Sequence, residues 1–113
     1  EDVTILGAAK KVSPERVNCA IEAGLRAVGE NYVQEAQEKL PHLRGPVSLH
    51  FIGHLQTNKA RHAVQLFDMV QSVDNVRLAQ ELDRRAKAVG KTLDVLIEVN
   101  LGGEETKAGV PPA

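Results

Sequence analysis

One cysteine, Cys19, stands in the 113 residues, so the chain can form no internal disulfide and suits a reducing cytoplasm. With no histidine near it, Cys19 reads as a small helical residue rather than a thiol nucleophile. No apolar run approaches the roughly 18 residues that span a bilayer. Glu1-Asp2 lacks the basic region and apolar core of a signal peptide, and the absence of an initial Met points to trimming. A net charge of -1 leaves no electrostatic footprint for nucleic acid or an anionic membrane. There is no Gly-x-Gly-x-x-Gly, and Gly53 to Lys59 lacks the second glycine and the Ser/Thr of a P-loop. No Ser-His-Asp or Cys-His arrangement is visible. What remains, 42% hydrophobic and 26% charged residues, describes one ordinary globular domain with a modest core.

Strand-like apolar runs begin near Val3, Arg26, Ser48, Met69 and Thr92, spaced by about 21 to 24 residues. The first four lead into helical periods. Ser13-Pro14 supplies an N-cap and N1 proline, Val17, Ala20 and Ile21 form a stripe, and Gly24 is the stop. A second helix is expected over Tyr32 to Leu40, with Val33, Ala36 and Leu40 inward and Pro41 ending it. The third opens near Asn58 and carries Ala60, Ala63, Val64 and Phe67. The fourth is capped by Asp74, buries Leu78, Ala79, Leu82 and Ala86, and ends before Gly90. The last strand runs over Leu93 to Asn100, followed by a Gly-rich loop from Gly102 to Gly109. Such regular βα units argue for a parallel α/β sheet, either an open doubly wound sheet or a (β/α)8 barrel. A barrel typically needs about 250 residues. By itself the pattern favours the open sheet, which five strands could complete.

Polar residues at strand exits are the candidates for chemistry, because α/β folds place ligand contacts there. Lys10 closes the first strand beside Lys11. Desolvation and neighbouring cations favour the neutral form of such an amine, which attacks aldehydes to form Schiff bases. The plainer alternative is an exposed Lys-Lys pair leading into a helix. Asn31, after Glu30 at the second exit, can orient a ring hydroxyl or cap a helix. Tyr32 is the only tyrosine. His50, His54 and His62 lack the spacing and companion ligands of a zinc site, so His50 reads as a packed strand histidine. Ser72-Val-Asp74 reads as a turn and cap, and Glu104 to Lys107 as a solvated loop.

Several segments carry a resemblance in register: Thr4-Ile-Leu-Gly-Ala-Ala-Lys10, Gly29-Glu-Asn-Tyr-Val-Gln-Glu35, His50 to Val64, Gln71-Ser-Val-Asp74, and Val99-Asn-Leu-Gly-Gly-Glu-Glu-Thr-Lys107. Together they resemble the pyridoxal-phosphate homeostasis family, also called the proline synthase co-transcribed family. The match reverses the preference for an open sheet. It implies a (β/α)8 TIM-type barrel similar to the alanine racemase N-terminal domain, here its first five strands and four helices. It also implies pyridoxal 5'-phosphate as cofactor, a Schiff base at Lys10, Asn31 beside the ring, and His50 and Ser72 as further pocket residues. Lys107 resembles a family lysine outside the main pocket. Ala9 and Leu49 depart from the family, which usually has a serine and an aromatic there.

The family's leading helix and its last three strands, with their phosphate-gripping loops, have no counterpart in these residues. The expectation is therefore a piece of a longer protein, or a fragment that retains cofactor poorly. The function implied is a non-catalytic carrier that buffers pyridoxal phosphate and delivers it to apo-enzymes in the cytoplasm. No nucleic acid or membrane partner is expected, and the chain is expected as a monomer or weak homodimer. An amino-acid racemase is the enzyme alternative, and it needs a base on each face of the substrate. A scaffold without cofactor is the third possibility.

Overall fold

The computed structural model describes residues 5–98, in which five parallel strands alternate with four α-helices. The order is β1 (Leu6–Ala8), α1 (Pro14–Glu22), β2 (Ala27–Glu30), α2 (Val33–Lys39), β3 (Ser48–Phe51), α3 (Ala60–Leu66), β4 (Met69–Val73), α4 (Val76–Ala88) and β5 (Asp94–Ile97). The strands lie in sequence order across one sheet. A doubly wound sheet reverses its order midway, and this one never does. Right-handed crossovers between successive neighbours put every helix on one face, as in a (β/α)8 barrel. This is a partial barrel, and the open-sheet alternative is excluded.

Alternation along the strands separates the two faces. Val28, Leu49, Phe51 and Val70 point to the helices and are buried against Ala63, Val64, Phe67, Leu78 and Leu82. The Phe51 and Phe67 rings meet with centroids 5.2 Å apart, tilted at 56°. Each large side chain buried this way contributes about 1.5–3 kcal/mol. The opposite face carries Leu6, Ser48, His50, Ile52, Met69 and Gln71, all only partly covered.

Helix ends follow the expected signals, with instructive exceptions. The Ser13 side chain accepts a hydrogen bond from the Arg16 N–H and Pro14 opens α1. Gly24 and Gly90 adopt positive φ after α1 and α4, the conformation that lets a chain leave a helix without a Cβ clash. The α4 cap is Asn75, which accepts from Leu78 N–H, rather than Asp74. Ala79 and Ala20 are not buried, whereas Asn18 is. Asn18 holds that place by donating to the His42 carbonyl and accepting from Arg44 N–H, tying α1 to the segment before β3. Beyond α2 the chain does not stop at Pro41 but tightens into a 3₁₀ turn, Leu40–His42. Leu40 is exposed and Lys39 takes the buried position. A 3₁₀ turn, Thr57–Lys59, likewise precedes α3. The expected start of the first strand at Val3 and end of the last at Asn100 lie outside the described residues. Among the described residues no helix is long and apolar enough to cross a membrane.

Candidate functional site

Strand register decides which side chains can meet. Ala8 pairs with Gly29, and Gly29 with His50, each step advancing 21 residues. His50 in turn pairs with Met69. The pairing of β1 with β2 continues through the Ala9 N–H, which donates to the Gly29 carbonyl at 2.8 Å. The Ile52 N–H likewise donates to the Glu30 carbonyl at 2.8 Å. One level further along, the same offsets align Lys10, Asn31, Ile52 and Gln71 across four strand exits. All four belong to the uncovered face by alternation.

Lys10 is exposed at this rim and Asn31 is half-buried beside it. The cap position of α2 belongs to Tyr32, without a side-chain cap bond, so Asn31 does not serve as the helix cap. Gly53 fixes where Asn31 sits. A Cβ at Gly53 would fall on the Asn31 carbonyl oxygen and within 2.8 Å of its Cα, so the β3 exit lies directly on the β2 exit. Gly29 has a similar role in the layer below, where Ile52 and Leu6 close over its missing side chain. Over Gly29 the floor beneath the rim is therefore apolar.

His50 occupies that lower layer on the same face. Gln71 Nε2 lies 2.8 Å from His50 Nδ1, and Ser48 Oγ lies 2.9 Å from His50 Nε2. Both ring nitrogens are thereby engaged, one by each neighbour. Ser72 is buried, its hydroxyl donating to the Gly53 carbonyl. Its bond runs along the rim between the β3 and β4 exits, and a register irregularity between Val70 and Val73 accompanies it. Register thus brings Lys10 and Asn31 to one level, sets His50 one layer below, and leaves Ser72 bracing the rim. Lys107 lies outside the described residues.

Three residues not singled out from the sequence lie just behind the rim. Lys39 is 5% exposed and its Nζ is 3.1 Å from Glu30 Oε2, with Glu30 fully buried. The Lys39 ammonium also donates to the Ala9 carbonyl at 2.6 Å and to Glu35 Oε2 at 3.3 Å. Glu30 Oε2 has no hydrogen bond of its own and is held by the charge of Lys39. Burial raises the pKa of Glu30 above the ordinary carboxylate value, opposed by the hydrogen bond and charge of Lys39. No local pattern announces this cluster. A lysine at the end of a helix reads as solvated, and only the buried carboxyl of Glu30 draws it in. The contact of Gln71 with His50 was also missed, although alternation from Met69 puts Gln71 on the His50 face.

A hollow of about 740 Å³ opens next to Asn31, between α2 and the segment after β3, lined by Tyr32, Glu35, Glu38, His54, Gln56 and Lys59 among others. Of the candidate residues only Asn31 lines it; Lys10, His50 and Ser72 do not. Among the described residues no three His, Cys, Asp or Glu side chains gather as a metal shell.

Comparison with known proteins agrees with this architecture. The alanine racemase N-terminal domain family matches residues 8–113. The pyridoxal phosphate homeostasis protein of Aquifex aeolicus (strain VF5) is 45% identical over 109 residues, covering 96% of this chain and 48% of that protein. That of Escherichia coli (strain K12) is 39% identical over 114 residues, covering 97% and 49%. The structure of PipY from Synechococcus elongatus PCC7942 with PLP bound superimposes with a TM-score of 0.88 at 36% identity, covering 97% of this chain and 52% of PipY. An alanine racemase of Clostridium difficile 630 shares the fold, with a TM-score of 0.81 at 17% identity over 100% of this chain and 30% of its own. The chain spans about half the length of the curated relatives it matches. Five parallel strands in sequence order, and a family match over almost the whole length, lead to one conclusion: this chain belongs to the alanine racemase N-terminal domain family.

Proposed function

We propose that this chain binds pyridoxal 5'-phosphate through Lys10 and holds and hands on the cofactor without turning over a substrate. What carries the reading is the exposed Lys10, two residues past Ala8 just as Asn31 is two past its strand partner Gly29, at the rim of a partial barrel. The residues fit the group: a primary amine, a neighbouring amide and an apolar floor of Leu6 and Ile52 over Gly29. When bound, the cofactor supplies an aldehyde that condenses reversibly with an amine, losing water. Lys10 provides that amine and Asn31 orients the ring from the side. His50, hydrogen-bonded to Ser48 and Gln71, adds a polar side chain to the layer below, and Ser72 holds the Gly53 carbonyl that shapes the rim.

Relatives named as homeostasis proteins support carriage rather than turnover, and a PLP-bound PipY supports binding of the cofactor. Racemisation needs a base on each face of the substrate. The only tyrosine, Tyr32, begins α2 with 54% of its surface exposed and lines the hollow rather than the rim. Delivery to apo-enzymes in the cytoplasm completes the proposal, and the lone, exposed Cys19 is compatible with reducing surroundings.

Absorbance scanning with pyridoxal phosphate, borohydride reduction and peptide mass mapping test the site. The expected outcome is a single label on Lys10, abolished in Lys10→Ala. Label scattered over Lys11, Lys59 and Lys107 would overturn it. Exchange of the α-hydrogen of alanine in deuterated water, measured on the same sample, would replace carriage with racemase-like turnover.

A further inference from the structure

We infer that Lys39 and Glu35 are positioning residues, which clamp the peptide groups on both sides of Lys10 and so aim its amine; the inference rests on the role of Lys10 proposed above. The Lys39 ammonium donates to the Ala9 carbonyl at 2.6 Å, on the peptide that precedes Lys10. Glu35 Oε2 accepts from the Lys11 N–H at 2.6 Å, on the peptide that follows it. The two side chains are joined to each other at 3.3 Å and project from one helix, α2. Two peptide planes flank each Cα, and fixing both fixes its φ and ψ, hence the direction of its Cα–Cβ bond. Lys10 is therefore gripped from the helix side through its backbone, while its side chain remains exposed on the other.

Two details separate this role from simple neutralisation of Glu30. The shortest contact of the Lys39 ammonium is the Ala9 carbonyl at 2.6 Å, not the Glu30 carboxyl at 3.1 Å. Lys11 also sits at φ 59°, a left-handed conformation that L residues other than glycine, asparagine and aspartate rarely adopt. The Val12 N–H closes the same turn onto the Ala9 carbonyl at 3.1 Å. Without its bond to Glu35, the Lys11 peptide has every reason to relax out of that conformation. The turn would then carry Lys10 with it.

Glu35→Ala is the informative variant, because Glu35 is partly exposed, whereas Lys39→Met strands a buried carboxyl and endangers folding. In the full chain, Glu35→Ala should slow borohydride-trapped labelling of Lys10 about tenfold, the scale of a misaimed reacting group. Its urea midpoint should stay close to that of the wild type. Glu35→Gln, which still accepts from Lys11 N–H, should retain most labelling. The double variant Lys11→Asn with Glu35→Ala should regain it, because asparagine tolerates the left-handed turn unaided. Hydrogen exchange of the Lys11 amide reads the clamp without any cofactor and should accelerate about tenfold or more in Glu35→Ala. Unchanged exchange overturns the clamp even where Lys10 is labelled in the wild type. Accelerated exchange with no wild-type label at Lys10 upholds the clamp and defeats the cofactor assignment instead. Labelling lost in Glu35→Ala but not regained with Lys11→Asn would assign the loss to something other than the turn, and the inference would fall.

Discussion

Glu30 ends β2 with its carboxyl fully buried, and loss of hydration raises its pKa above the usual 4.5. The bond and charge of Lys39 oppose that rise without cancelling it, and the negative charge of Glu35 adds to it. A carboxyl with a raised folded pKa binds its proton more tightly in the folded chain than in the unfolded one. The stability gained that way is fully present below the unfolded pKa and is lost as pH climbs through the folded value. Glu30→Gln cannot titrate. The unfolding free energy of the wild type relative to Glu30→Gln should therefore decline as pH rises from about 4.5 into the raised range, then level off. Paired urea titrations across that window measure it. A difference that instead grew with pH would mean that the ion pair with Lys39 outweighs desolvation. The same cluster explains why one charged residue in the α2 sequence is buried: the pair is costly to break, by about 3–5 kcal/mol, once either member is inside.

At the scale of strands and helices, the contact between the β2 and β3 exits is the one that a single methyl group would disturb most. A Cβ at Gly53 meets the Asn31 backbone, which has no flexible end to swing aside. Gly53→Ala should cost about 1–3 kcal/mol of stability, the usual effect of overpacking, because the two exits must separate. Urea unfolding measures the loss, and a midpoint equal to the wild type would show that the loop shifts freely. Much at this scale was legible beforehand. Ser13-Pro14, Gly24 and Gly90 punctuate helices through local backbone preferences that need no tertiary partner. The apolar stripe Ala60, Ala63, Val64 and Phe67 was legible for the same reason, since a 3.6-residue period is written in the chain itself. The cap at Asn75 rather than Asp74 was not, because both side chains can cap and only the path of the backbone selects one. Nor was the inward turn of Lys39, where Leu40 has the apolar side chain but Glu30 has the stronger claim on the position. The rim stands between these cases. Lys10, Asn31 and Ile52 are spaced by 21 residues, yet that spacing means alignment only once the register between strands is known.

Across the whole sheet, sequential strand order gathers the apolar residues of one face under the helices and leaves the other face and both edges uncovered among the described residues. Strand β5 shows this most fully. Val95, Leu96 and Ile97 are all exposed, Ile97 by 63%, although side chains on a strand alternate between faces. Next to it, Leu82, Ala86, Leu93 and Val95 line a groove of about 360 Å³ between α4 and the sheet edge. In a closed barrel a following strand takes the hydrogen bonds of such an edge and a following helix fills such a groove. Among the described residues no strand pairs with the outer edge of β5, which lies beside apolar side chains, the arrangement that templates pairing between chains. Sedimentation velocity should therefore show a weight-average coefficient that rises with protein concentration. Replacing Leu96 and Ile97 together by lysine puts charge on both faces of the edge and should suppress that rise while leaving the buried core, and hence cooperative unfolding, in place. A wild-type coefficient independent of concentration would mean that the β5 edge is satisfied within the chain. The self-pairing expected of an open barrel edge would then not occur.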